Sequence, residues 1–281
     1  MANEIQKTSN ANKMTFSAFM TSNAISNKVN QIIGDERTGK RFIASIISAV
    51  SNNPQLKECD NSSILSGALL GESLGLSPSP QLGNYYLVPF KDKERGMVAT
   101  FQMGWKGYYQ LALRSGQYKK LNVIEIKEGE LIGWNPLEEE LKVNIIDDDE
   151  KREKLNTIGY YAFYENLQGF RKCIYWSKEK MEAHALKYSN GYRADKQKKT
   201  TYTFWSKNFD EMAKKTMLRQ LISKYGVMSI EMQNAYEGDM AYIKDDGTKE
   251  YVDNREEEVS FEDIEVVEAT DVEIKSLDDV E

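Results

Sequence analysis

Three groups of residues in this chain have the types and spacing of known chemistry. The run Gly34-Asp35-Glu36-Arg37-Thr38-Gly39-Lys40 carries the G-x-x-x-x-G-K spacing of a phosphate-cradling loop. Arg41 follows where that chemistry needs a Ser or Thr hydroxyl on magnesium, and no strand signal precedes Gly34. A turn in which Thr38 caps the next helix accounts for the run. Gly71-Glu72-Ser73-Leu74-Gly75 matches the nucleophile elbow G-x-S-x-G, with Asp147 and His184 downstream in triad order. An elbow is entered from a strand, whereas Ile64, Leu65, Ala68 and Leu69 recur at helical spacing and Gly75 is placed to end a helix. The acidic clusters at 138–140 and 147–150 offer carboxylates for two-metal phosphodiester cleavage. Neighbours along a strand point to opposite faces and metal ligands come from several elements, so solvated turns are the simpler reading. No catalytic and no metal-ligating residue is assigned.

Cations interleaved with aromatic rings remain. In the segment GWKGYYQLALRSG, Trp105, Tyr109 and Ala112 share one helix face and pack a core, while Lys106 and Arg114 are harder to bury. Gly104 and Gly107 at the helix start would let a phosphate backbone approach the amides, where helix dipole and lysine charge act together. From Arg171 to Lys224, Lys and Arg far outnumber Asp and Glu, and Tyr175, Trp176, Tyr188, Tyr192, Tyr202, Phe204 and Trp205 lie among them. Single strands need fixed positive charge for the backbone and flat rings for the bases. The candidates here are Arg171, Lys172, Arg193, Lys196, Lys198, Lys199 and Trp205. On the following helix, Phe209, Met212, Ala213, Thr216 and Met217 form one face. Lys207, Lys214, Lys215 and Arg219 fall opposite, with Leu218 and Ile222 among them, so another element or subunit partly covers that side.

The charge balance agrees with such a surface once the chain is divided. Residues 1–234 hold 33 Lys+Arg against 26 Asp+Glu and residues 235–281 hold 4 against 18, so the net −7 is the sum of a basic body and an acidic tail. No run approaches the roughly 18 apolar residues of a membrane span, and the N-terminal MANEIQKTSNANK lacks the layout of a signal peptide, which predicts a cytoplasmic protein. Cys59 and Cys173 have no zinc spacing with His184, the single histidine, and read as buried thiols.

Positioning these residues requires both element types. Helices are predicted over 25–33, 38–50, 61–74, 105–114, 178–188 and 206–225, with Asn61 or Ser62 capping the third. Strands are predicted over 85–89, 97–103, 119–126, 130–134, 141–146, 157–164 and 170–175, the first two as a hairpin around a charged turn. Residues 189–203 read as a basic loop. The pattern is α+β: an antiparallel sheet with helices on one side. The division predicted is a flexible arm over 1–24, one DNA-binding domain over 25–235 and a disordered acidic tail over 236–281.

The segments LGLSPSPQLGNYYLVPF, FQMGWKGYYQLALRSGQY and FWSKNFDEMAKKTMLRQLISKYG, in this order, resemble the signatures of the RecT family of phage single-strand annealing proteins over roughly residues 40–235. The resemblance implies an ATP-independent recombinase that coats single-stranded DNA, anneals it to its complement, and assembles into rings or filaments. It implies a curved antiparallel sheet backed by helices, as in the single-strand annealing superfamily, in a protein of the bacterial host cytoplasm. Carried over by position, it puts Lys106, Arg114, Lys207, Lys214, Lys215 and Arg219 on or near the DNA groove, with Tyr109 beside Lys106. It requires no cofactor, with Mg2+ modulating annealing, and suggests a 5′-to-3′ exonuclease and the host single-strand-binding protein as partners. The tail competes with DNA for the groove, recruits a partner through Val259, Phe261, Ile264, Val266 and Val267, or merely solubilises. The alternative to annealing is a passive single-strand coat, which the residues alone do not separate from it. A metal-dependent nuclease on the acidic clusters is the more distant rival.

Overall fold

The computed structural model describes residues 14–92, 95–244 and 246–251. Helices α1 (Phe16–Thr21), α2 (Asn23–Ile33) and α3 (Glu36–Ser51) pack together at the start of the chain. Phe16 and Met20 are buried in the main core, so the expected arm over 1–24 is part of the fold from Phe16 onward. Asp35, ahead of the expected Thr38, caps α3 by accepting the Thr38 amide at 2.7 Å. The phosphate-loop resemblance dissolves here. Gly39 lies where α3 crosses α2, and a Cβ on it would sit 2.1 Å from Asn30 Oδ1. Phe42, Ile43, Ile46 and Val50 are buried, as their spacing predicts.

A 3-10 turn (Pro54–Glu58) leads to α4 (Asn61–Ser73), capped by Asp60 rather than by Asn61 or Ser62. The elbow-like motif sits on this helix end. A Cβ at Gly71 would strike the Tyr85 ring at 2.3 Å, so its glycine serves close packing, and Ser73 Oγ donates to Leu70 O. Strands β1 (Tyr85–Asp92) and β2 (Gly96–Met103) form the predicted hairpin, with Tyr85 opposite Met103 and Asp92 opposite Gly96.

Next come α5 (Trp105–Arg114), β3 (Tyr118–Lys127), the β4 (Leu131–Asn135) and β5 (Glu140–Val143) hairpin, α6 (Asp149–Glu153), β6 (Thr157–Asn166) and β7 (Arg171–Ser177). The acidic clusters are dispersed: Glu139 pairs with Lys172, Glu140 with Lys142, and Asp148 caps α6. Among the described residues no group of His, Cys, Asp and Glu could hold a metal ion. Cys59 and Cys173 are both buried thiols.

The last helices are α7 (Lys178–Tyr188), α8 (Asn190–Lys198), α9 (Phe204–Lys207), α10 (Phe209–Tyr225) and α11 (Ile230–Gly238), followed by β8 (Ala241–Ile243) and β9 (Lys249–Tyr251). The sheets are antiparallel and their orders are β1-β2-β8-β9, β3-β6-β7 and β4-β5. The fold is therefore α+β with antiparallel sheets backed by helices, the strands distributed over three sheets.

Two boundaries differ from the sequence reading. The basic loop over 189–203 contains α8, because Ser189 caps it by accepting the Tyr192 amide and its apolar Tyr192 is buried. The first part of the acidic tail expected from 236 is folded. Residues 236–251 complete α11, add β8 to the first sheet and bury Asp239, a carboxylate that a charge count assigns to the tail. The tail's apolar residues Val259, Phe261, Ile264, Val266 and Val267 lie outside the described residues.

Helix α10 is the centre of the molecule. It packs on α5, β3, β6 and β7, and Ala213, Lys215, Thr216, Met217, Leu218, Leu221 and Ile222 bury it on every side. A helix covered all round no longer presents a polar face, whatever its periodicity suggests.

Candidate nucleic-acid interface

Helix α5 begins at Gly104, whose amide donates to Asn84 O at 2.8 Å. A Cβ on Gly104 would lie 2.0 Å from Gly83 O, and one on Gly107 would lie 2.1 Å from Asn84 O. The space that the sequence reading kept for a phosphate is thus filled by the chain's own 83–84 backbone. The glycines let this loop close on the helix and so fix the walls of a surface depression of about 580 Å³. Lys106 and Arg114 line it together with Trp105 and Tyr109. Arg114 is pinned, donating to Leu74 O at 2.6 Å and Gly75 O at 3.4 Å, where it satisfies carbonyls at the end of α4.

Trp105 is held from several sides. Its indole N–H donates to Glu211, Tyr109 meets it edge-on at 6.4 Å, and Lys106 and Lys214 stand 5.8 and 5.2 Å from its ring centre. Lys214 is also paired with Glu211 and, at 3.4 Å, with Glu125. Burial works against the Lys214 charge, yet these carboxylates hold its pKa above the ordinary lysine value. Glu125 also accepts from Lys127 and from Thr157 at 3.2 Å. A smaller crevice of about 70 Å³ shares Trp105 with the first depression and adds Tyr86, Phe204 and Asn208. The rings of Tyr86 and Phe204 are 5.7 Å apart.

A second large depression, of about 530 Å³, opens beyond α9 and is lined by Lys178, Lys196, Lys199 and Trp205 among others. Its floor rests on Asp195. That buried carboxylate accepts from Thr200 Oγ1 at 2.6 Å, from the Thr203 amide and hydroxyl, both at 2.8 Å, and from Ser206 Oγ at 2.7 Å. Burial alone would raise its pKa, but these donors hold it well below the usual carboxylate range. One carboxylate thereby folds the segment between α8 and α9 and sets the positions of the basic residues on either side.

The structure does not bring the expected site residues to one place. Lys106, Tyr109 and Arg114 meet in the first depression; Lys196, Lys199 and Trp205 meet in the second; and Lys198 and Lys207 are exposed near its ends on α8 and α9. Trp205 is only 8% exposed and packs on Tyr192 and Phe209, so it is a wall and not a stacking platform. Arg193 is spent on the α7 carbonyls of Leu186 and Lys187, at 3.0 and 2.9 Å. Lys196 is paired with Glu182 at 2.6 Å. Arg171 and Lys172 belong to another part of the surface, on β7, where Arg171 lies over Phe163 and Lys172 over Tyr225.

Lys214, Lys215 and Arg219 face inward. Lys215 donates to fully buried Asp239 at 2.8 Å, and Asp239 also accepts from Tyr108 Oη at 3.1 Å and the Met103 amide at 2.9 Å. Arg219 lies 4.3 Å from the centre of the Tyr236 ring. The sequence reading carried these to a DNA-facing surface; instead Lys214 is held between Trp105 of α5, Glu125 of β3 and Glu211, Arg219 packs on Tyr236 of α11, and Lys215, at the wall of the small crevice, is bonded to Asp239. It missed Asn84, Gln110 and Asn122 in the first depression and Tyr86 beside Trp105. Uncharged polar side chains leave no signal in a charge count, although Asn84 and Tyr86 lie inside the NYYLVPF segment.

Comparison with known proteins gives the family. A model of the RecT family matches residues 40–265. The chain is 38% identical over 248 residues to the uncharacterized protein YqaK of Bacillus subtilis (strain 168), covering 88% of this chain and 78% of that one. It is 29% identical over 201 residues to protein RecT of Escherichia coli (strain K12), covering 70% of each chain. The chain belongs to the RecT family, and its general function is DNA recombination by single-strand annealing. Among the described residues no helix is long and apolar enough to cross a membrane.

Proposed function

We propose that this chain binds single-stranded DNA along the depressions on either side of Trp105 and α9, and anneals it to a complementary strand without ATP. The observation that carries the reading is the pairing of cations with aromatic rings in both large depressions: Lys106 and Arg114 with Trp105 and Tyr109 in the first, Lys178, Lys196 and Lys199 with Tyr192 and Trp205 in the second, while the small crevice that shares Trp105 with the first adds Phe204, the neighbour in sequence of Trp205. Exposed Phe204 and Tyr202 offer faces for bases, while the lysines meet phosphates. Pairing two strands releases roughly 1.4 kcal/mol per base-pair step, so no nucleotide hydrolysis is required. The barrier lies in phosphate repulsion and the search for register, and a positive groove shared by neighbouring copies lowers both. No bond to substrate is made or broken. The setting is a bacterial cytoplasm during phage recombination, with rings or filaments as the working form and Mg2+ as a modulator. An exonuclease that exposes single strands and the host single-strand-binding protein are the partners.

The test is fluorescence-quench annealing of complementary oligonucleotides without ATP, comparing the wild type with a Lys106→Ala/Lys199→Ala/Lys207→Ala variant. Acceleration by the wild type that the folded variant loses supports the reading. Tight binding with no acceleration would make the chain a passive coat.

A further inference from the structure

The depression beside α5 has a feature that backbone tracking does not need. Three amide side chains, Asn84, Gln110 and Asn122, line it. Within the described residues Asn122 Oδ1 accepts the Val123 amide at 2.9 Å, and its NH2 has no acceptor. Asn84 and Gln110 make no side-chain hydrogen bond there at all. They come from three separate elements: the loop before β1, helix α5 and strand β3.

Facing these amides is a rigid aromatic corner. Trp105 is fixed through its N–H on Glu211, and Tyr109 through its hydroxyl on Leu121 O at 3.1 Å, with 77° between the ring planes. Fixed rings stack on a flat ligand with little loss of side-chain entropy. Arg114 and Lys106 supply positive charge in the same depression. A phosphate alone would be served by the cations and would leave the three amides, two of them exposed, to water. An apolar ligand would strand the amides. A nucleobase satisfies all of them: its faces stack on aromatics, and its edge carries adjacent donors and acceptors of the kind Asn and Gln amides match. The volume of about 580 Å³ falls in the range of small-ligand sites and admits a nucleotide.

We propose that this depression is a base-reading subsite: one nucleobase of the bound single strand turns out of its stack, lies against Trp105 and Tyr109, and hydrogen-bonds to Asn84, Gln110 and Asn122. This rests on the single-strand reading above and adds a specific contact to the base. Its consequence is that affinity depends on bases as well as on phosphates.

The test compares anisotropy titrations of two labelled strands of equal length, one of ordinary mixed sequence and one wholly abasic, with the wild type and with Gln110→Ala/Asn122→Ala. The quantity read is the ratio of affinities, ordinary over abasic. The expected result is a wild-type ratio of ten or more that falls about tenfold in the variant, with unchanged thermal melting showing that the variant is folded. An Asn122→Asp change, which replaces donors with an acceptor, should lower the ratio by itself. Binding of both strands with a ratio that the variants leave unaltered overturns the subsite while leaving single-strand binding intact. Failure of the wild type to bind either strand overturns the single-strand reading and the subsite with it.

Discussion

Lys214 and Lys215 of α10 and Lys198, Lys199 and Lys207 around α8 and α9 carry the same charge and stand close in sequence, yet the fold uses them oppositely. On α10, Lys215 is 6% exposed and bonded to an aspartate that solvent does not reach. Lys198, Lys199 and Lys207 are exposed, and none has an ion-pair partner among the described residues. The difference teaches that positive charge on a nucleic-acid binder has two functions. Inside, it neutralises carboxylates that join elements distant in sequence. Outside, it remains available for phosphate.

The largest effect expected from this contrast is on stability. Lys215→Ala removes one partner of a buried pair and leaves Asp239 charged among Tyr108, Met103 and β8, which costs about 3–5 kcal/mol. Chemical denaturation reads it directly. Lys215→Met with Asp239→Asn should recover part of the loss, because a shape-preserving neutral pair no longer buries an unbalanced charge. A Lys215→Ala protein as stable as the wild type would collapse the distinction between the two regions.

A smaller effect distinguishes them by pH. His184 on α7 lies between Trp176 and Tyr188, with ring centres 5.3 and 4.5 Å away. Burial, then the positive charges of Arg219, Lys187 and Lys224, lower its pKa to about 4. The unfolded chain takes up this proton near pH 6.5 and the folded chain near pH 4, so stability falls as pH drops through that window. The loss expected is roughly 3 kcal/mol at its fullest. Comparing denaturation of the wild type and His184→Gln at pH 7.5 and 4.5, as chosen test conditions, isolates it: the variant's slope should be flatter.

These cases indicate what the sequence makes legible. The hairpin at β1–β2, the face of α3 and helix α5 follow from local periodicity, and their bounds agree closely with the structure. The first depression was legible through Lys106, Tyr109 and Arg114, since large or charged residues beside glycine announce themselves. The inward turn of Lys214, Lys215 and Arg219 was not, because burial of a helix face is decided by elements 100 and more residues earlier, as at Trp105, and by Asp239 beyond the expected domain end. Leu218 and Ile222 among those cations were the local warning. Similarly, α8 was hidden because six of its nine residues, Asn190, Arg193, Asp195, Lys196, Gln197 and Lys198, are polar, and its anchor is an aspartate bonding forward to Thr200, Thr203 and Ser206.

The smallest stability effect should accompany the clearest effect on binding. Lys198→Ala/Lys199→Ala/Lys207→Ala removes exposed side chains, and each should change stability by no more than about 0.5 kcal/mol. Lys199 sits at a positive φ of 54°, so its variant falls nearer that limit. Each lysine that meets a phosphate of a single strand contributes about 0.7 to the slope of log affinity against log salt, so removing three of them makes the slope shallower by roughly 2. Titrations of a labelled oligonucleotide between 50 and 200 mM salt, as chosen test conditions, read this. The inward lysine gives the opposite signature: a folded Lys215→Met/Asp239→Asn protein should keep the wild-type slope, because the Lys215 charge is already neutralised by buried Asp239. If the exposed triple variant kept the slope and the inward pair changed it, the assignment of inner and outer charge would have to be exchanged.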